Sequence, residues 1–148
     1  DIGVVADEGN LAGLETLPYR RDRLVLIVPP AHPLAGEAAV AFARVLGEPF
    51  VCLHAGSAIH TFMMNHAARL GGRLDVRIQV RSFNAVCRMV AGGVGVSVLP
   101  REAIAPQLAT LPIKAVRLAE SWTTRTHRAM LRQRLSRTPI ICDLASLL

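Results

Sequence analysis

Residues 75–100 read DVRIQVRSFNAVCRMVAGGVGVSVLP, and their order decides the fold class. Val76, Ile78 and Val80 alternate with Arg77, Gln79 and Arg81, the period of a strand with one buried face. Ser82 suits the cap of a helix from 83 to 91, because its hydroxyl accepts from an N–H of the first turn. Gly92, Gly93 and Gly95 then turn the chain. Val96 to Leu99 form an apolar strand, ended by Pro100, which lacks the N–H that a ladder needs. Strand, helix and strand joined by short turns make the repeating unit of an α/β protein.

Working outward, the same alternation continues. A strand at 50–53 leads through Gly56-Ser57 into an amphipathic run from 58 to 70, closed by Gly71-Gly72. Leu24 to Val28 is a continuous apolar run of strand length that stops at Pro29-Pro30. The alanine-rich stretch 37–46 predicts a helix stopped by Gly47. Ile2 to Ala6 predicts a strand and 7–13 a loop. Downstream, the pattern predicts a strand over 113–118, a weaker one over 127–131 and a terminal helix over 139–148 with Pro139 in its first turn.

The 148 residues, 51% hydrophobic, suit one mid-sized domain or two small lobes. No apolar run reaches the roughly 18 residues of a membrane span. The chain opens on Asp1-Ile2-Gly3, as a strand already under way, and is expected to be a fragment. Cys52, Cys87 and Cys142 match no C-x-x-C or zinc spacing and read as small buried hydrophobes. Residues 1–50 carry four bases against seven acids, whereas 51–148 carry 13 against four. The densest basic run is Arg125, Arg128, Arg132, Arg134 and Arg137. Aromatics, at 4%, do not interleave it as a base-stacking platform would. A solvated basic face, or one serving a small anion, is the expectation.

Catalytic and cofactor motifs fail on order or spacing. Gly92 to Val96 follows a helix and precedes a strand, the reverse of a dinucleotide fingerprint, and no Gly-Lys-Ser/Thr follows. His60 and His66 are six apart, not four, and His32, His54 and His127 add no ligand spacing, so no metal and no cofactor are expected. Ser57 lacks the second glycine of a nucleophile elbow, and Cys87 falls inside an apolar helix, so no enzyme activity is expected. Open α/β sheets bind ligands beyond the carboxyl ends of strands, where helix N-termini attract anions. Two junctions qualify: His54, Gly56, Ser57 and Ala58, and Arg81, Ser82 and Phe83. Ser57 and the N–H groups of 57–59 would receive a carboxylate, with Arg81 as charge partner. Phe83 reads equally as an apolar wall or as a residue packed into the lobe. Met64, with Ala67 or Ala68, reads as core or as a face toward another subunit.

The segment from Leu24 to Pro29 with His32-Pro33-Leu34-Ala35, and the segment from Ser82 to Pro100, together resemble LysR-type transcriptional regulators. Asp1 to Ala6 and the closing segment 139–148 are similar in order and spacing. The resemblance implies a C-terminal effector-binding domain with two Rossmann-like lobes of the type 2 periplasmic-binding-protein kind. It implies an incomplete first lobe at 1–53 and 123–148 and a second lobe at 54–122. It further implies a small, anionic effector bound between the lobes at the two junctions above, homo-oligomerisation with Met64 and Ala68 near a partner, and a cytoplasmic protein without a membrane. DNA would be bound through a helix-turn-helix domain outside this chain. The alternative of different class is a solute-binding protein of a transport system, which shares the architecture.

Overall fold

The computed structural model describes residues 2–6 and 14–132, with side chains over 20–128. The expected loop at 7–13 and the expected helix at 139–148 lie outside the described residues. The chain divides into two compact units: residues up to Asp22 together with those from Thr124 onward, and Arg23–Thr123.

The first unit is built on strands β1 (Ile2–Ala6), the opening part of β2 (Leu14–Val28) and β8 (Thr124–Arg132). β8 pairs antiparallel with β1, from Ile2↔Leu131 to Ala6↔His127, and lies beside β2. β2 starts ten residues before the apolar run that predicted it.

The second unit centres on the last five residues of β2. Leu24 to Val28 are each at most 3% exposed. A strand buried on both faces needs apolar side chains on both, so it reads as a continuous run and not as an alternation. Its backbone is satisfied on both edges, by antiparallel β6 (Ser97–Pro100) on one side and antiparallel β7 (Lys114–Leu118) on the other. The two-residue β3 (Ala39–Val40) adds to β7 in parallel. β4 (Pro49–Leu53) and β5 (Asp75–Val80) pair in parallel. β4 joins the neighbourhood of β6 through Val51 N–H to Val96 carbonyl (2.9 Å) and Val96 N–H to Pro49 carbonyl (2.8 Å). β5 alternates as predicted: Asp75, Arg77 and Gln79 are exposed, while Val76, Ile78 and Val80 are half-buried.

Helix α1 (Ala58–Arg69) buries Ile59, Phe62, Met63, His66 and Ala67, the i, i+3, i+4, i+7, i+8 stripe of an amphipathic helix. Trp122 stacks on His66 with centroids 4.1 Å apart and meets Phe62 and Phe42 edge-on, sealing one end of this core. Helix α2 (Phe83–Ala91) buries Val86, Cys87 and Val90, and the short α3 (Ala105–Thr110) follows β6.

One expectation is corrected. The stretch 37–46 forms no α-helix: it holds β3 and a 3-10 turn at Phe42–Val45. Tertiary partners take its backbone, because β7 supplies a parallel ladder to Ala39 and Val40 and the Glu120 Oε1 accepts from the Phe42 N–H at 2.7 Å. Such bonds outweigh alanine's helix propensity, which is worth only tenths of a kcal/mol per residue. The two compact units divide at 22–23 and at 123–124. The apolar run Leu24 to Val28 finds its burial between β6 and β7, and this draws 24–53 into the same unit as 54–122. His32-Pro33-Leu34 gains a local reason: His32 Nδ1 accepts from the Leu34 N–H at 3.2 Å and caps a 3-10 turn at Pro33–Gly36.

Gly95 sits where the turn after α2 meets β4. A Cβ there would lie 2.2 Å from the Pro49 carbonyl oxygen, against backbone that cannot yield. Gly95→Ala is expected to cost about 2 kcal/mol or more in equilibrium urea unfolding. Gly36→Ala, with nothing within 4 Å of the added carbon, should shift stability by about 1 kcal/mol at most.

Candidate functional site

The parallel pairing of β4 and β5 brings the two predicted junctions together. Leu53 and Val80, the last residues of the strands, are register partners, and the next N–H, of His54, donates to the Val80 carbonyl at 2.9 Å. Each chain then turns into a helix at the same sheet edge. On the β4 side, Gly56 takes φ +91°, which a side chain would oppose, and Ser57 N–H donates to the His54 carbonyl at 3.1 Å. Ser57 Oγ accepts from the His60 N–H at 3.3 Å and caps α1. On the β5 side, Ser82 Oγ accepts from the Ala85 N–H at 3.2 Å and caps α2.

Two capped helix N-termini therefore stand at the ends of adjacent strands. A helix start leaves N–H donors unused within the helix and carries the positive end of its dipole. Neither first turn holds an acid to neutralise it. Arg81 is exposed and has no ion pair among the described residues. His54, Gly56, Ala58 and Ser82 are exposed and Ser57 is half-buried. Phe83 is half-buried, with part of its ring against the core. Met64 is half-buried against the same core, and Ala68, one turn on, is exposed.

Sequence reasoning passed over Gln79 as a member of this edge. Its Nε2 lies 3.4 Å from His60 Nε2 and ties β5 to α1 beside the Ser57 cap. The one available signal is that Gln79 sits on the exposed side of an alternating strand one residue from its end. Cys52 and Cys87 are buried as expected, and burial pushes both thiols up to about 11, so neither is a thiolate at neutral pH. No group of three metal-ligating side chains occurs among the described residues.

Sequence reasoning also missed a polar cluster in the first unit. Asp22, 9% exposed, receives Arg125 bidentately, with Nε to Oδ1 at 2.9 Å and Nη2 to Oδ2, and His127 Nε2 donates to Oδ2 at 2.8 Å. Burial alone raises the Asp22 carboxyl, but the hydrogen bonds and charges of Arg125 and His127 together outweigh it and hold the carboxyl below its ordinary 3.8. A carboxylate depressed in the folded state stabilises it above the unfolded value, and that contribution disappears as pH falls through the folded value. Stability measured by urea midpoint is therefore expected to fall as pH drops below about 4. Asp22→Asn should flatten that acid limb while lowering the plateau near neutrality.

A family model described as the LysR substrate binding domain matches residues 1–148. The RuBisCO operon transcriptional regulator of Allochromatium vinosum is 34% identical over 97 residues, 66% of this chain and 32% of that protein. A probable hydrogen peroxide-inducible genes activator of Mycobacterium avium is 27% identical over 105 residues, 70% of this chain and 34% of its own length. The chain spans about a third of the length of these curated relatives. Among solved structures, the CcmR regulatory domain of Synechocystis PCC6803, in complex with 2-PG, matches with a TM-score of 0.85 at 22% identity, covering 99% of this chain and 71% of that one. The effector-binding domain of QuiR, in complex with shikimate, matches with a TM-score of 0.77 at 19% identity, covering 94% and 65%. Their fold is the α/β, periplasmic-binding-protein-like fold of LysR regulatory domains. With a family match over its whole length, the chain belongs to the LysR substrate-binding domain family.

Proposed function

We propose that this chain is the effector-sensing module of a DNA-binding transcriptional regulator, and that it takes a small organic anion at the edge where β4 and β5 end. The observation that carries the reading is the convergence of two capped helix N-termini, unneutralised by acids, beside Arg81. Backbone N–H groups at 58–59 and the Ser57 hydroxyl accommodate a carboxylate or phosphate, the Ser57 N–H being already committed to the His54 carbonyl, and Arg81 supplies the opposite charge. His54, Gly56, Ala58, Ser82 and Phe83 shape the edge around it. The relatives named above are transcriptional regulators, and two of the similar structures hold small molecules. Binding acts as a switch through its differential affinity for two states of the protein, with no bond made or broken.

In this reading Arg23–Thr123 is one effector-binding lobe, and the residues up to Asp22 and from Thr124 belong to the other. DNA is bound through a helix-turn-helix outside these residues, in the cytoplasm where regulators meet DNA. No helix of the described residues is long and apolar enough to cross a membrane. The protein works as a homo-oligomer, with the α1 face of Met64 and Ala68 toward a partner.

Titration calorimetry of the full-length protein against small carboxylates and phosphates, shikimate and 2-PG among them, tests the site. Ser57→Ala should lower affinity by about 0.5–3 kcal/mol, a few-fold to roughly a hundredfold, according to whether the bond is neutral or charge-assisted. Arg81→Gln should weaken anions more than neutral analogues. If Ser57→Ala costs about 1 kcal/mol of stability but leaves affinity unchanged, Ser57 is only a helix cap and the site is misplaced. For the oligomer, Ala68→Glu should lower the sedimentation coefficient at micromolar concentration while leaving far-UV circular dichroism unchanged. An unaltered sedimentation coefficient would remove α1 from the interface.

A further inference from the structure

The chain passes between its two units twice, at Asp22–Arg23 and at Thr123–Thr124. The first crossing lies inside β2 and the second at the start of β8. On the side of the first unit, the crossing residues are tied to one another. Arg125 and His127 are two apart in β8 and so project from one face of the strand, toward Asp22 on the neighbouring β2. The Asp22 and Arg125 side chains are each only 10% exposed, and the His127 side chain 25%. A planar guanidinium fork on a carboxylate sets orientation as well as distance, which apolar packing between strands does not. A third donor on Oδ2 further restricts the carboxylate. On the side of the second unit, the next residues are tied into that unit. The Arg23 N–H donates to Glu102 Oε2 at 3.3 Å, and its carbonyl accepts from the Arg101 N–H at 2.9 Å. The Thr123 N–H and Oγ1 both donate to the Glu120 carbonyl, at 3.3 and 2.7 Å.

We propose that Asp22, Arg125 and His127 form a clamp that locks β2 and β8 to each other at the end of the first unit, holding the two strands together where each leaves that unit. The clamp also pins register. A slip of one residue would turn Arg125 and His127 to the opposite face of β8 and leave Asp22 buried without its cations. The clamp needs no ligand and stands whether or not the effector site is placed correctly.

Hydrogen exchange of the full-length protein, read amide by amide, tests the clamp. In Asp22→Asn, amides of 20–22 and 124–128 are expected to exchange at least about tenfold faster, while those of Leu26, Val51 and Val98 keep wild-type rates. His127→Gln retains an N–H donor and should keep protection close to wild type, whereas His127→Leu should lose it. Should Asp22→Asn fail to fold because it removes the carboxylate charge facing Arg125, the pair Asp22→Asn with Arg125→Gln removes both charges of the fork and is read in the same way. Wild-type exchange at the crossings would overturn the proposal. So would acceleration spread evenly over both units, which marks a general loss of stability, and so would full protection in His127→Leu.

Discussion

The five buried residues from Leu24 to Val28 are the constraint on which the second unit depends. A strand with no solvent on either face must find apolar neighbours above and below and hydrogen-bond partners on both edges, because unpaired backbone groups in a core are costly. β6 and β7 supply the edges, and the strand's side chains lie in the one buried apolar cluster that also holds the buried residues of α1 and α2. Once this strand is placed, β7 has one free edge, and Ala39 and Val40 take it in preference to a helix. Val96, just before β6, bonds to Pro49 and Val51 and so fixes β4. The close approach at Gly95 is the consequence, since the turn after α2 must pass over Pro49 to reach that position.

The placement of β4 in turn creates the candidate site. β4 and β5 run parallel because a helix, α1, connects them, and parallel strands deliver their carboxyl ends to one edge. Each helix then begins where its strand stopped. The chemistry of that edge is a summed effect of backbone dipoles, two serine caps, and an arginine with no acid close in sequence on either helix start. None of these is a strong determinant singly. Their register through Leu53 and Val80 sets them side by side at one sheet edge.

The first unit shows a different use of charge. Asp22 is taken out of water only because three donors from two cationic-type side chains meet its two oxygens. Arginine suits this position where lysine would not, since its fork engages both oxygens at once and remains charged when desolvated. The arginine-rich stretch beginning at Arg125 thus serves internal structure at its first member, not solvent alone. A basic count by itself does not reveal which arginines have acids folded against them.

Much of the second unit was legible in the sequence because its signals are local. The α1 stripe from Ile59 to Ala67, the serine caps at 57 and 82, the alternation of β5 and the unbroken run of β2 each follow from period or from a single hydrogen bond within a few residues. The two junctions of the candidate site were legible for the same reason. What tertiary structure alone decided depends on partners far away in sequence. The Phe42 N–H meets Glu120 across 78 residues, and Asp22 meets Arg125 across 103. Long-range pairings also set the boundary of the unit at Arg23, since Leu24 to Val28 could be seen to need burial but not to find it between β6 and β7. Periodicity and capping act over one or two turns of chain, whereas which strand fills an open edge is settled by the free energy of the whole sheet.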